Sequence, residues 1–301
     1  MALLDRGLPV TMLDAGREIE PKFAETPGRL ARLRYDAWPP ELRDQLAEIT
    51  GPMVRGFPMK TNFGSEFAYR GAPEVLPFDV RDSDIISSLA RGGLSNLWGS
   101  NVVSFCDRDF RGWPIDAGAL APSYRAVLRH IPLSASRGDD FETLLPLHTD
   151  TLEPRLLSNQ AARVLRDLDA HRERLHASGI RYGPSRLGLR TSAGSNDAGC
   201  ERCGLCLHGC PYDLIYNSSQ NLATLQRDPN LRYEPGLLVT RFRETADGVE
   251  VEAVRESDRA PVRFSGSRLF LAAGCYSTAR IVLGSLERFF RGLERELRVV
   301  V

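Results

Sequence analysis

The sequence has no excess of charge of either sign: 39 Lys and Arg balance 39 Asp and Glu over 301 residues. That balance leaves no polybasic surface for nucleic acid or for an anionic membrane. No apolar run approaches the roughly 20 residues that cross a bilayer, so no transmembrane segment is expected. Asp5 and Arg6 interrupt the apolar stretch at the start, and no small-residue cleavage site follows, so the first residues fail as an export signal. The expected setting is cytoplasmic, although a start missing upstream would have taken any export signal with it. Histidine is scarce, five in all (His130, His148, His171, His176 and His208), and none lies in a catalytic motif; surface positions are expected for most. There is no internal repeat and no low-complexity tract. A 42% hydrophobic and 26% charged composition is ordinary for a globular chain, and the length allows one or two domains with a sizeable core.

Cysteine is what the sequence concentrates. Four of the six cysteines, Cys200, Cys203, Cys206 and Cys210, fall within eleven residues, while Cys106 and Cys275 stand apart. Such crowding points to a metal or cluster site more than to a disulfide framework. The order Cys-x2-Cys-x2-Cys-x3-Cys, closed by Pro211, matches the bacterial ferredoxin run that wraps a [4Fe–4S] cube. In two-cluster ferredoxins the fourth cysteine serves the other cluster, so closure here falls to Cys210 or to a remote cysteine. Zinc competes, because four thiolates also close a tetrahedral structural site. A vestigial or disulfide-bonded knot is the third alternative.

Local patterning supplies the elements. Residues 1–7 read as the last turns of a helix stopped by Gly7, and residues 8–13 as a buried strand with Asp14 at its end, before Ala15 and Gly16. In a βαβ dinucleotide unit an acid at that place accepts hydrogen bonds from a ribose hydroxyl. A strand ending in a solvated Asp is the equal alternative. The glycine-rich turn that precedes such an acid by about 20 residues is absent, so the polypeptide is expected to be incomplete. In the segment 91–100, Gly92 and Gly93 allow close backbone approach to a ligand, and free amides in such turns cradle phosphates. Ser95, Asn96 and Trp98 offer hydrogen bonds and a flat apolar wall; Gly92-Gly93 taken alone reads rather as a loop anchored by a buried Trp. Helical spacing predicts helices near 41–49, 119–130, 157–177, 218–227 and 277–286. Residues 237–242 and 249–254 predict a hairpin through Asp247-Gly248, and 269–274 a short buried strand. Residues 17–80 otherwise show little periodicity.

Five motifs in order carry a resemblance: Leu-Asp-Ala-Gly (13–16), Gly-Gly-Leu-Ser-Asn-Leu-Trp-Gly (92–99), Asp-Phe-Arg-Gly-Trp-Pro-Ile (109–115), Leu-Ala-Pro-Ser-Tyr (120–124) and Leu-Ala-Ala-Gly (271–274). The chain up to about Leu286 resembles the glucose–methanol–choline (GMC) flavin oxidoreductases, in the branch whose flavin loop ends in Trp-Gly. Related sequences of that branch carry similar cysteine runs. The resemblance implies an α/β fold: an incomplete Rossmann-like FAD-binding domain with an inserted, partly helical segment and a small β meander. The implied division is 1–125 for part of the FAD domain, 126–217 for the insertion with the cysteine block, 218–286 for the return to the FAD domain, and 287–301 for an atypical tail. It implies FAD contacts from Asp14, Gly16, Gly92, Gly93, Ser95, Asn96, Trp98 and Gly99. Leu238 or Val239 would present backbone to adenine, and Ala273 and Gly274 would pass close to the cofactor. Cys200, Cys203, Cys206 and Cys210 would hold the [4Fe–4S] cluster or zinc.

The segment from Cys275 to Arg280 departs from the family's usual small-residue, Ser-Pro-rich helix start. The family's catalytic His region lies beyond this sequence, so truncation at both ends is expected, with weak FAD affinity and no activity from this chain alone. The implied activity of the intact enzyme is oxidation of the CH–OH group of an alcohol, sugar or polyol, with an electron-carrier protein as a further partner. The alternative is a non-catalytic Fe–S or zinc-binding remnant of a flavoprotein.

Overall fold

The computed structural model of the chain describes residues 1–49, 51–54, 57–80, 85–192 and 199–286. The chain is mixed α/β. In order, its elements are β1 (Val10–Leu13), α1 (Pro21–Leu30), α2 (Pro40–Ala47), β2 (Met53–Val54), β3 (Phe57–Pro58), α3 (Ala72–Val75), α4 (Ala117–Leu128) and β4 (Leu133–Ser134). Then come α5 (Asn159–Ala170), α6 (Arg172–Ala177), β5 (Leu187–Gly188), α7 (Ser218–Leu225), β6 (Leu231–Glu234), β7 (Leu237–Thr245), β8 (Gly248–Arg255), β9 (Pro261–Gly266) and α8 (Cys275–Leu286). They form two compact units, one of Met1–Ala24, Thr50–Leu97 and Asn217–Val301, the other of Glu25–Ile49 and Trp98–Tyr216. No helix among the described residues is long and apolar enough to cross a membrane. The tail 287–301 lies outside the described residues.

In the first unit β1 and β6 pair in parallel, from Val10↔Leu231 to Leu13↔Glu234. This is the one parallel ladder between named strands among the described residues. The strand is shorter than the 8–13 expected, and Leu8 and Met12 are exposed instead of buried. Pro9 has no N–H to give a ladder, which sets the start at Val10. The expected hairpin forms as β7 and β8, and β9 adds a third antiparallel strand. Strand β8 is central, and Val249, Val251 and Ala253 alternate inward as its period of two requires. Helix α8 lies on this sheet, where the Ser285 hydroxyl accepts the Phe242 N–H at 2.9 Å.

The predicted strand 269–274 does not form: Phe270 is exposed, and no neighbouring strand pairs with the segment among the described residues. An apolar run becomes a strand only where a ladder partner exists. The following helix starts at Cys275, two residues earlier than its periodicity indicates. Buried Ala72, Leu89 and Leu238 form one core cluster of the unit, and Phe67, Ala68 and Ala90 another.

In the second unit Asp116 caps α4, its carboxylate accepting the Ala119 N–H at 2.7 Å, and Ser158 caps α5 in the same way. The single helix expected over 157–177 is broken at His171. Its Nδ1 lies 2.8 Å from the Asp167 carbonyl, while its backbone N–H turns to Leu168. The side chain thus takes the carbonyl that a continuing helix would give its backbone. Helix α1, with Pro27 inside it, has no counterpart in the sequence expectations; Pro27 removes one helical donor and masks the pattern. Trp38 is buried, donates its indole N–H to the Leu30 carbonyl at 3.1 Å, and stacks on Tyr212 at 5.7 Å between centroids. Leu133, Ala135 and Leu147 form a core cluster, with Val102, Leu128 and Leu152 packed against it.

Candidate functional site

The ladder of β1 and β6 continues one residue past the strands, and Asp14 donates its N–H to the Glu234 carbonyl at 3.1 Å. The chain then passes under the start of β7, where Leu237 and Gly236 donate to the carbonyls of Asp14 and Ala15. Gly16 has φ 65°, and a Cβ there would stand 2.7 Å from the Tyr233 hydroxyl and 2.8 Å from Pro235 Cβ. Only glycine allows that approach. Next, Arg17 donates to the Leu89 carbonyl at 3.0 Å, and Arg91 donates to the Arg17 carbonyl at 2.9 Å. Two backbone bonds therefore lay the segment after Asp14 alongside the residues leading into Gly92.

The Asp14 carboxylate accepts the Tyr233 hydroxyl at 2.9 Å. Burial pushes its carboxyl above the usual range, against the Tyr233 hydroxyl, the backbone amides of Gly16 and Ala15, and the charge of Arg91, all of which favour the anion. Burial and the neighbouring Asp14 push the Tyr233 phenol up as well. The Arg91 guanidinium lies over the Tyr233 ring, 5.8 Å from its centroid. It pairs with Glu18 at 2.8 Å and donates to Gln226 at 2.9 Å, while its buried Nε has no acceptor among the described residues.

The turn itself is left-handed at Gly92 (φ 86°) and Gly93 (φ 59°). A Cβ on Gly92 would lie 3.0 Å from the Ser219 amide nitrogen; one on Gly93 would meet nothing within 4 Å. Ser95 donates to the Gly92 carbonyl, and Asn96 donates to the carbonyls of Arg91 and Gly93 at 3.0 and 2.7 Å. The same turn abuts the start of α7, where the Ser218 amide donates to Ser95 Oγ at 3.0 Å and the Ser218 hydroxyl to the Gly92 carbonyl at 3.1 Å. Asn217 caps that helix through the Ser219 N–H.

Asp14, Gly16, Gly92, Gly93, Ser95 and Asn96 thus fall in one neighbourhood of the first unit. Leu238 borders this neighbourhood, its cluster including Leu89 with Ala15 packed against it. Trp98 and Gly99 belong to the second unit, where the Trp98 indole N–H donates to the Tyr216 carbonyl at 2.7 Å. Leu238 is buried in the core cluster with Ala72 and Leu89, and Val239 sits at a β-bulge where the register shifts before Arg241. Ala273 donates to Thr278 Oγ1 at 3.1 Å and Gly274 accepts the Thr278 N–H, so both lie just before α8 and bond to its first turn. Tyr233, Arg91 and Gln226 were not foreseen; nothing local in the sequence marks residues so far apart as neighbours of Asp14.

The cysteine loop lies in the second unit. Arg202, Gly204, Gly209 and Asp213 all have positive φ (56°, 78°, 122° and 52°), which turns the chain sharply around the cysteines. Cys210 Sγ accepts the Leu214 N–H at 3.4 Å. Burial raises the thiol pKa of Cys203 and of Cys210. The sulfurs are not gathered: among the described residues no three His, Cys, Asp or Glu side chains are grouped to hold a metal ion.

Neither a family model nor a curated protein matches this chain.

Proposed function

We propose that the first unit binds the adenosine diphosphate half of FAD and that the protein serves as an FAD-dependent oxidoreductase acting on the CH–OH group of an alcohol, sugar or polyol. The observation that carries this reading is the bonding of Arg17 to Leu89 and Arg91, which gathers a desolvated carboxylate, the Arg91 guanidinium and the Gly92–Gly93 turn. A ribose diol suits the carboxylate, which has about four lone-pair positions and uses some of them on Tyr233 and its own backbone amides. A phosphate oxygen suits the backbone at Gly93, where a Cβ would meet nothing within 4 Å, with the Arg91 charge close by in the chain. The start of α7 adds the positive end of a helix beside the turn. When bound, the flavin supplies the hydride acceptor; the residues named here bind and orient its nucleotide end.

Competition tests the reading: ADP should displace FAD from the protein, whereas FMN, which lacks adenosine, should not. Equal competition by FMN would remove the adenosine site.

The second reading, a non-catalytic metal-binding protein, rests on the cysteine spacing and on the four left-handed residues around it. A visible spectrum of protein made anaerobically separates the two. Flavin absorbs in two resolved bands and a [4Fe–4S] cluster in one broad shoulder.

A further inference from the structure

The second unit contains a cavity of about 310 Å³ whose residues take no part in the nucleotide reading. That volume lies at the small end of the roughly 300–1,000 Å³ of ligand pockets. Val102, Val127, Leu128, Leu133, Pro146 and Leu147 give it apolar walls. The unit's core fixes most of them: Leu133 and Leu147 belong to its buried cluster, and Val102 and Leu128 pack against it. Walls already ordered lose little further freedom when a ligand arrives. Val103 and Val127, both exposed, open the cavity to solvent.

Two lining residues are basic, Arg186 and His148, and neither presents a charge to the cavity. The Arg186 side chain is 2% exposed, and Nη2 pairs with Asp139 Oδ1 at 3.0 Å. The guanidinium carbon lies 5.7 Å from the Phe141 ring. Neither Asp139 nor Phe141 lines the cavity. The other two guanidinium nitrogens, Nε and Nη1, are fully enclosed. A molecule in the cavity does not reach that charge.

His148 stacks on Tyr124 at 4.8 Å and 24°. Burial, then the charge of Arg125, lowers its pKa and keeps the ring neutral. Its ring nitrogens make no hydrogen bond among the described residues, and neither is enclosed. The Tyr124 hydroxyl accepts the Phe105 N–H at 3.3 Å, which leaves its own proton unengaged. The lining therefore tolerates one neutral polar group and offers nothing to an ion.

We propose that this cavity binds an uncharged aliphatic molecule, its chain against Val127, Leu128, Leu133 and Leu147 and its polar end, where it has one, beside His148 and Tyr124. Taking an ion out of water into these walls costs far more than taking a neutral chain, because nothing within reach replaces its hydration. The neutral chain gains in proportion to the apolar surface it buries.

Isothermal titration of the full chain with octan-1-ol, octanoate and octylammonium holds the chain length constant and varies the charge. Octan-1-ol should bind saturably at one site, with both ions weaker by about tenfold or more. From butan-1-ol to octan-1-ol, each added methylene should tighten binding about two- to fourfold. Val127→Trp, which fills the cavity from an exposed position on α4, should abolish octan-1-ol binding without lowering the melting temperature. Val103→Trp, at the other exposed apolar position of the lining, makes the same test where the first variant fails to fold. The titrations contain no FAD, so their failure leaves the nucleotide reading standing. Either ion binding as tightly as octan-1-ol, no saturable octan-1-ol binding, or binding that survives tryptophan in a folded variant would overturn the proposal.

Discussion

The Tyr233 hydroxyl donates to Asp14 Oδ2 over 2.9 Å, joining the end of β1 to the parallel strand beside it. The contact anchors a carboxylate that burial has otherwise made costly to ionise. Asp14 is therefore oriented at the strand end while remaining a strong acceptor, as recognition of a sugar diol requires.

Because the Asp14 pKa is raised on folding, the native state holds a proton that the unfolded chain has lost over the interval between the two values. Its contribution is fully present below the unfolded carboxyl pKa and is lost as pH rises through the folded one. Urea unfolding across acid to neutral pH should show Asp14→Asn gaining on the parent protein as pH rises. Tyr233→Phe, which removes a donor to the anion, should steepen the parent's loss. A parent that gains on Asp14→Asn over that range would have the opposite shift.

Two neighbouring glycines should respond unequally to alanine. Both Gly92 and Gly93 have positive φ, so each pays about 1–2 kcal/mol for a left-handed Cβ. Only Gly92 also brings that Cβ to 3.0 Å from the Ser219 nitrogen at the start of α7. Denaturant midpoints should fall further for Gly92→Ala than for Gly93→Ala; equal losses would mean that α7 does not press on the turn.

The sequence displayed what depends on near neighbours. Period-two alternation marked β8 and an apolar run marked β7, and caps such as Asp116 and Ser158 stand where helical spacing begins. It also placed Asp14, Gly92 and Gly93 in nucleotide-like motifs before any contact was known. What it concealed depends on distant partners. Leu269 to Gly274 looks like a strand, but a strand needs a ladder, and none is present among the described residues. Tyr233 reaches Asp14 through the β1–β6 pairing and Arg91 through the backbone bonds of Arg17, and no local period signals either meeting. Arg186 reads as one arginine among many until its burial is seen.

In the second unit the Glu153 carboxylate accepts the backbone N–H of Thr191 at 3.0 Å and of Ser192 at 2.8 Å, together with both hydroxyls. Burial raises its pKa, but the hydrogen bonds from Ser192 and Thr191 outweigh that and hold it below the usual carboxylate range. Its contribution is present at neutral pH and lost as pH falls through the folded value. Glu153→Gln should cost about 1–3 kcal/mol at pH 7, and little at a pH where the parent's carboxyl is protonated. A cost independent of pH would contradict the ionised role.

If the cysteine loop takes up a metal, the sulfurs must first move together, because no ligand group is assembled among the described residues. Anaerobic reconstitution should change the near-ultraviolet circular dichroism of Trp38 and Tyr212, which pack beside this loop. Cys203→Ser should abolish uptake and Cys106→Ser should not. Iron with stoichiometric sulfide would identify a cluster, and zinc without sulfide a structural site. Disulfides among Cys200 to Cys210 with no metal would end the metal reading.

The most direct measurement is equilibrium dialysis of the chain against FAD, for the parent and for Asp14→Ala. The nucleotide-site reading predicts weak, saturable binding that ADP displaces and that Asp14→Ala reduces about tenfold or more, as loss of a charge-assisted hydrogen bond implies. Retention of FAD at equal affinity by both proteins, or no saturable binding by the parent, would contradict it.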